Sequence, residues 1–132
     1  MRITGKIGKI SYGNGYRTVI MGVINLSPAS FYKGSISNTL KAIQERINDF
    51  ISQGVDIIDV GALSSAPAFL YNSTDDQSNS TEIERLRTFF NAIKELDTQI
   101  PISVDTQSHK VAKYALNSGA SMINDISGLK SD

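Results

Sequence analysis

The sequence has no cysteine and a single histidine, and both shortages restrict its chemistry. Without cysteine there is no disulfide, no thiolate nucleophile and no zinc–thiolate site. One histidine, His109, cannot build a metal site from several histidines of one chain. We expect His109 to be a surface residue of a helix, because no Ser and Asp partners for nucleophilic catalysis surround it.

An excess of charge of one sign and long apolar runs are also absent. Thirteen Lys and Arg residues balance thirteen Asp and Glu residues, so the formal net charge is zero. A neutral balance is atypical of nucleic-acid-binding domains, and no nucleic acid is expected as a partner. No apolar run approaches the roughly 20 residues that cross a bilayer, and the first residues lack the apolar core of a signal peptide. These patterns predict a cytoplasmic protein with no membrane partner.

Apolar strands alternate with amphipathic helices along the 132 residues. Residues 2–12 and 17–25 are predicted strands of a hairpin that turns at Asn14 and Gly15, because Asn-Gly is the strongest two-residue hairpin signal. Further strands and helices are predicted from buried apolar runs and from apolar residues three and four positions apart. The strands are at 55–60, 102–105 and 122–123, and the helices at 38–53, 81–100 and 108–119.

Capping residues define the predicted ends of the helices. Thr81 and Glu84 fit a capping box with Thr81 as the N-cap, and Ser108 is the predicted N-cap of the third helix. Gly54 and Gly119 are predicted C-caps. The third helix is expected to bury four residues: Val111, Ala112, Ala115 and Leu116.

The order hairpin, then β-α-β-α-β-α-β, indicates one α/β domain with parallel strands and right-handed crossovers. The polar stretch at residues 62–80 is longer than most connections, and such loops are usually functional or disordered. We expect it to be mobile without ligand.

Candidate site residues stand at the carboxyl ends of the strands, where parallel α/β folds bind their ligands. These residues are Asn25, Asp59, Asp105 and Asn124, with Asp125 beside the last. Each could instead cap a helix or form an Asx-turn. Together, however, they offer acceptors and an amide to a planar ligand rich in N–H groups, such as an amino-pyrimidinone ring.

Three segments at these strand ends resemble the dihydropteroate synthase, or pterin-binding, family. Residues 21–31 (MGVINLSPASF) are similar to MGILN(V/L)(T/S)PDSF, and the variant NLSPASFYKGS is most similar to archaeal members. Residues 54–67 (GVDIIDVGALSSAP) are similar to GADIIDVGGESTRP. Residues 101–106 (PISVDT) and 123–128 (INDISG) are similar to PISVDT and INDVSG.

The resemblance implies a (β/α)8 TIM-barrel fold with an N-terminal hairpin at its bottom. It implies a transferase of folate biosynthesis that condenses 6-hydroxymethyl-7,8-dihydropterin pyrophosphate with p-aminobenzoate or a related arylamine, with Mg²⁺ as cofactor. By position, Asn25 would face the pyrophosphate and the metal as a catalytic residue. Asp59 would support the site as a second catalytic residue, and the substrate-binding residues would be Asp105, Asn124 and Ser65.

The chain departs from the family pattern in three residues and in length. Ala29, Leu63 and Ala66 replace the aspartate, glutamate and arginine of the family motifs. A complete barrel has about 250 residues, so residues 1–132 are expected to be its N-terminal part, the first four β-α units of an incomplete barrel. The expected macromolecular partner is a C-terminal half or a further copy of the chain.

Two other functions remain open at this point. One is a non-catalytic pterin-binding or assembly module, which the short chain would suit. The other is the subunit of a pterin-dependent methyltransferase, a branch of the same superfamily whose strand-end motifs differ from NLSPASF.

Overall fold

The computed structural model describes residues 3–27, 40–63 and 78–130. Strands β1 (Thr4–Ile7) and β2 (Ile10–Gly13) form an antiparallel hairpin. The remaining strands and helices alternate along the chain. They are β3 (Met21–Asn25), α1 (Leu40–Ser52), β4 (Ile57–Gly61), α2 (Asn79–Leu96), β5 (Ile102–Asp105), α3 (His109–Ser118) and β6 (Met122–Asn124).

Strands β3 to β6 form one parallel sheet in sequence order. One face of it packs against the helices through buried residues: Ile24, Ile58, Val60, Ile102 and Val104. Within the described ranges no helix covers the opposite face, where Val23 is 60% exposed and Met21 39%. We call this the open face. The α/β prediction is confirmed, and the four-stranded sheet is part of a barrel that is not closed.

The hairpin turn lies at Gly8 and Lys9 and not, as predicted, at Asn14 and Gly15. Ile7 pairs with Ile10, which leaves two residues in the loop. Gly8 has φ +56°, as the first central position of a type II′ turn requires. The Asn-Gly pair instead forms a turn after β2, and β3 pairs with β4 rather than with the hairpin.

The hairpin turn lies at the amino end of the sheet. A Cβ on Gly8 would be 3.3 Å from Pro101 and 3.4 Å from Ser121 Oγ, residues that precede β5 and β6. The expected place of the hairpin, at the bottom of the barrel, is therefore confirmed for the strands that the structure describes.

An ion pair joins the segment after the hairpin to the start of β4. The two terminal nitrogens of the Arg17 guanidinium donate to the two carboxylate oxygens of Asp56. The bond from Nη1 to Oδ2 is 2.8 Å long, and Nη2 donates to Oδ1. The N–H of Ile20 donates to the same carboxylate at 2.8 Å. The hydrogen bond from Arg17, followed by that from Ile20, lowers the pKa of Asp56 to about 2.

This pair predicts a loss of stability in acid. A carboxyl whose pKa is lower in the folded state stabilises the fold above its unfolded pKa of roughly 3.9, and this stabilisation is lost as the pH falls through the folded pKa. The free energy of unfolding should therefore fall more steeply between about pH 4 and pH 2 in the wild type than in Asp56→Asn. Urea titrations at each pH measure this, with Asp49→Asn, an exposed carboxyl of α1, as the control. Parallel profiles for wild type and Asp56→Asn would contradict the prediction.

The helix ends match the sequence in part. Gly54 and Gly119 have φ +81° and +111° and end α1 and α3 as predicted. Ser78, not Thr81, is the N-cap of α2, because the N–H of Thr81 donates to Ser78 Oγ at 3.3 Å. Ser108 is the N-cap of α3, although its side chain makes no capping hydrogen bond.

Two surface residues of α3 can be compared with the sequence prediction. His109 is its first residue and is exposed, as predicted. Leu116, which was expected to be buried, is 52% exposed because the inward side of this helix is occupied by Val111 and Ala115. Among the helices in the described ranges, none is both long enough and apolar enough to cross a bilayer.

Candidate functional site

The register of the sheet places the strand-end residues in one row. Asn25 pairs with Gly61, Gly61 with Asp105, and Asp105 with Asn124. Because paired residues of parallel strands point to the same side and side chains alternate along a strand, this row faces the open side of the sheet. The sequence prediction that these strand ends converge is thus confirmed by the pairing.

A second row lies two residues towards the amino ends of the strands. Its members, in register, are Val23, Asp59, Ser103 and Met122. Ser103 thus shares the open face with Asp105, while Val104 between them is fully buried under the helices. This alternation is that of a β-strand, in which successive side chains point to opposite faces of the sheet.

Asp59 holds the amide of Asn124 in place. Asn124 Nδ2 donates to Asp59 Oδ2 at 3.2 Å, across the intervening strand β5. Among the described residues, the other carboxylate oxygen, Asp59 Oδ1, has no hydrogen-bond partner although it is buried, and the same is true of Ser103 Oγ in the neighbouring strand. Unpaired polar atoms in such positions are costly, so these two oxygens are candidate acceptors for a donor group.

Asp105 is the half-buried carboxylate at the centre of the row. Burial is the first cause that raises its pKa, and the negative charges of Asp59 and Asp125 raise it further. Nearby carboxylates thus disfavour its ionised form, and a ligand that donates N–H groups would relieve this repulsion.

Two other strand-end residues serve local turns. Asn25 Oδ1 accepts from the N–H of Ser27 at 3.0 Å. The carboxylate of Asp125 accepts from Ser127 and Leu129, both at 2.8 Å, and these bonds lower the pKa of Asp125, Ser127 contributing most. The Asx-turn alternative is therefore correct for Asn25 and Asp125.

Several predicted features lie outside the described residues. Ser65, Ala29 and Ala66 are among them, and so is most of the predicted loop at 62–80. Leu63 is described and is half-buried just after β4.

The structure shows one buried carboxylate that was not among the candidate residues of the sequence. Glu82, in the first turn of α2, is only 2% exposed. A signal was present, because Glu82 stands four and seven residues before Leu86 and Phe89, on the apolar stripe of the helix. A charged residue in that stripe requires a buried polar partner.

Asn25 was the predicted metal ligand. Across the described ranges, no group of three His, Cys, Asp or Glu side chains is placed to hold a metal ion. Asn25 offers one amide oxygen, a ligand type that suits Mg²⁺. Mg²⁺ usually keeps several waters and binds substrate phosphates, so a single protein oxygen fits such a site only together with a phosphorylated substrate.

The fold and site together define a class of protein. It is a barrel-type α/β protein with a strand-end site of carboxylate, amide and hydroxyl groups, which suits a planar ligand rich in N–H donors. The pterin-binding enzyme family matches residues 21–132, and the chain belongs to this family.

Individual relatives agree with the family assignment. The chain is 41% identical over 127 residues to the dihydropteroate synthase of Clostridium beijerinckii, covering 96% of this chain and 45% of that protein. A solved dihydropteroate synthase of Clostridium difficile, obtained in the presence of pteroic acid, superposes with a TM-score of 0.74 at 37% identity, covering 89% of this chain and 43% of that one. The enzyme of Coxiella burnetii, in complex with pteroic acid, gives 0.70 and 34%, covering 86% and 38%.

The resemblance to this family and the incomplete barrel fold are thereby confirmed. The chain spans less than half the length of these relatives. The similarity to archaeal members in particular stays a prediction.

Proposed function

We propose that the protein carrying these residues is a dihydropteroate synthase. It would condense 6-hydroxymethyl-7,8-dihydropterin pyrophosphate with p-aminobenzoate or a related arylamine, releasing pyrophosphate. The relatives' names support this reaction, and the Coxiella burnetii enzyme was solved in complex with pteroic acid.

The observation that carries the proposal is the set of unpaired acceptors on the open face. Asp59 Oδ1 and Ser103 Oγ are buried and have no partner in the part of the chain that the structure describes, and Asp105 is half-buried two residues beyond Ser103 on β5. A residue that only caps a helix would use its oxygens on backbone N–H groups, as Asp125 does. The free oxygens instead match the N–H edge of an amino-pyrimidinone.

Each described residue then has a role in binding. Asp105 accepts N–H donors of the pterin ring, and Asn124 adds an amide whose orientation is set by its bond to Asp59. Asn25, at the end of β3, would face the pyrophosphate. Holding the ring in this way orients its reactive carbon towards the amine, which is the positioning component of catalysis.

Mg²⁺ is part of the proposal. Asn25 Oδ1 is the described atom that would hold it, together with the pyrophosphate oxygens and water. When bound, the ion would neutralise charge on the departing pyrophosphate.

The test is product formation by the full-length protein. With the pterin pyrophosphate, p-aminobenzoate and Mg²⁺ we expect a dihydropteroate product and one equivalent of pyrophosphate, and neither when one substrate is omitted. Tight pterin binding without product would favour the alternative of a non-catalytic pterin-binding module. Absence of pterin binding would overturn the proposal.

The arylamine is a separate question for the same assay. Leu63 and Ala66 replace charged family residues, so charge on the arylamine is expected to matter little there. Comparing p-aminobenzoate with an arylamine whose para substituent is neutral would measure this through their kcat/KM ratio. A strong preference for the carboxylate would show that other residues recognise it.

The methyltransferase alternative is not favoured, because two relatives that match 96% and 92% of this chain are named dihydropteroate synthase. The barrel is proposed to be completed by a C-terminal half, with a further copy of the chain as the other candidate. The proposed location is the cytoplasm.

A further inference from the structure

Glu82 is a buried carboxylate behind the strand ends. Glu82 and Thr106 are exposed by only 2% and 6%, and the Thr106 hydroxyl is close enough to the Glu82 carboxylate to hydrogen-bond with it. Burial is the first cause that raises the pKa of Glu82; the bond from Thr106 opposes it, and the charge of Asp105 adds to it. The carboxylate is thus close enough to Asp105 for their charges to interact.

Thr106 connects this carboxylate to two residues of the candidate site. It follows Asp105 directly, and its N–H donates to the carbonyl oxygen of Asn124 at 3.0 Å. Its hydroxyl oxygen also accepts from the N–H of Ser108 at 3.2 Å, at the start of α3. The side chain of Thr106 therefore fixes the turn that follows β5, and its backbone N–H holds the end of β6 beside that turn.

The first turn of α2 also contacts the end of β4, the strand next to β5. Arg85, three residues after Glu82, donates to the carbonyl oxygen of Ala62 at 2.8 Å, just after β4. The charge of Arg85 also acts on Glu82 and favours its ionised form. One turn of α2 thus reaches the carboxyl ends of both β4 and β5.

We propose that Glu82 is a positioning residue for the pterin site, acting through Thr106 on Asp105 and Asn124. The inference rests on the proposed function, since it assumes that Asp105 and Asn124 bind the ring. Glu82 lies on the helix side of the sheet and does not contact the ligand. Its contribution is to fix the Thr106 hydroxyl, because an outer partner that orients a ligand-binding residue affects binding nearly as much as the residue itself.

The experiment compares variants of the full-length protein for binding of 6-hydroxymethyl-7,8-dihydropterin pyrophosphate by calorimetry. Glu82→Ala should raise the Kd about tenfold, a typical effect of losing an outer partner. Glu82→Gln keeps an acceptor oxygen for Thr106 and should stay within about threefold of wild type. Glu84→Ala, an exposed carboxylate of the same helix, is the matched control and should bind as wild type does.

A double-mutant cycle with Thr106→Val separates positioning from general loss of stability. If both residues act through one hydrogen bond, the effects of Glu82→Ala and Thr106→Val on Kd will not add. The KM of the arylamine should change less than that of the pterin, and the Thr106 amide should exchange faster in Glu82→Ala. If Glu82→Ala does not fold, Thr106→Val against Thr106→Ser makes the same comparison.

Each outcome has one meaning. Wild-type protein that binds no pterin overturns the proposed function itself. Wild-type protein that binds, with Glu82→Ala and Thr106→Val binding equally well, overturns the role of Glu82 alone. Additive losses that affect both substrates equally would show that Glu82 only stabilises the fold.

Discussion

Replacing Asp105 by Asn should lower the affinity of the full-length protein for the pterin substrate about tenfold to a hundredfold. The substitution keeps the shape of the side chain but turns one acceptor oxygen into a donor group. Against the N–H edge of the ring, this loses a charge-assisted hydrogen bond and adds a repulsive contact, about 1.5–3 kcal/mol. Calorimetric titration with the pterin pyrophosphate measures the change.

Stability should respond in the opposite direction to affinity. Burial and the charges of Asp59 and Asp125 raise the pKa of Asp105. A carboxyl with a raised folded pKa binds its proton more tightly in the folded state, so stability falls as the pH rises from its unfolded pKa through its folded pKa. Asp105→Asn removes this decrease and should unfold at an equal or slightly higher temperature near neutral pH.

The control for this substitution is Asp97→Asn. Asp97 is an exposed C-cap of α2 with φ +49°, a conformation that Asn also tolerates. It should change neither affinity nor stability measurably. Unchanged pterin binding in Asp105→Asn with a sharp fall in melting temperature would show that Asp105 is a structural cap, and the pterin assignment would then be wrong at its centre.

Much of the site was predictable because it depends on local periodicity. The apolar runs fix where each strand ends, and alternation along β5 places Ser103 and Asp105 on one face. Parallel pairing then brings the ends of all four strands into one row. The residue types alone did not identify the ligand. The sequence motifs at those strand ends indicated a pterin.

The errors arise where several local solutions compete. Asn14 and Gly15 form a good turn, but the strands pair around Gly8, which also allows a positive φ and leaves Ile7 opposite Ile10. Likewise Ser78 and Thr81 are both good caps, and the helix begins at the earlier one. Such choices depend on tertiary packing rather than on residue preference.

A second type of error concerns side chains rather than elements. Asn25 and Asp105 look alike in sequence, as polar residues at strand ends. In the structure Asn25 accepts from its own turn, whereas Asp105 faces other carboxylates. Glu82 and Thr106 are 24 positions apart, and only the packing of α2 against β5 shows that they meet. Long-range polar contacts of this kind have no local signature.

The isolated segment of residues 1–132 should self-associate at micromolar concentration. In the described sheet β3 pairs only with β4, and β6 only with β5, so each has an edge with unpaired backbone groups. Such edges are templates for pairing with other chains. The open face adds exposed apolar area, with Val23 at 60% exposure. Sedimentation velocity should show species larger than the monomer, increasing with concentration.

The charges on the open face determine the form of this association. Two copies closed into one eight-stranded barrel would bring both sets of Asp59 and Asp105 into one interior, and converging carboxylates oppose this. We therefore expect a broad series of oligomers rather than a single closed dimer. Association should weaken as salt is lowered, because screening of these carboxylates is then reduced.

Val23→Lys tests whether the edge strand β3 and its exposed apolar side chain are responsible. A lysine on an edge strand hinders pairing with another chain, so the monomer fraction should rise at equal concentration. Asn91→Lys adds the same charge to an exposed position of α2, away from both edges, and should leave the distribution unchanged. A stable folded monomer at micromolar concentration in the wild type would contradict the prediction. Equal dissociation by both variants would assign the effect to net charge, because the two substitutions share only the added positive charge.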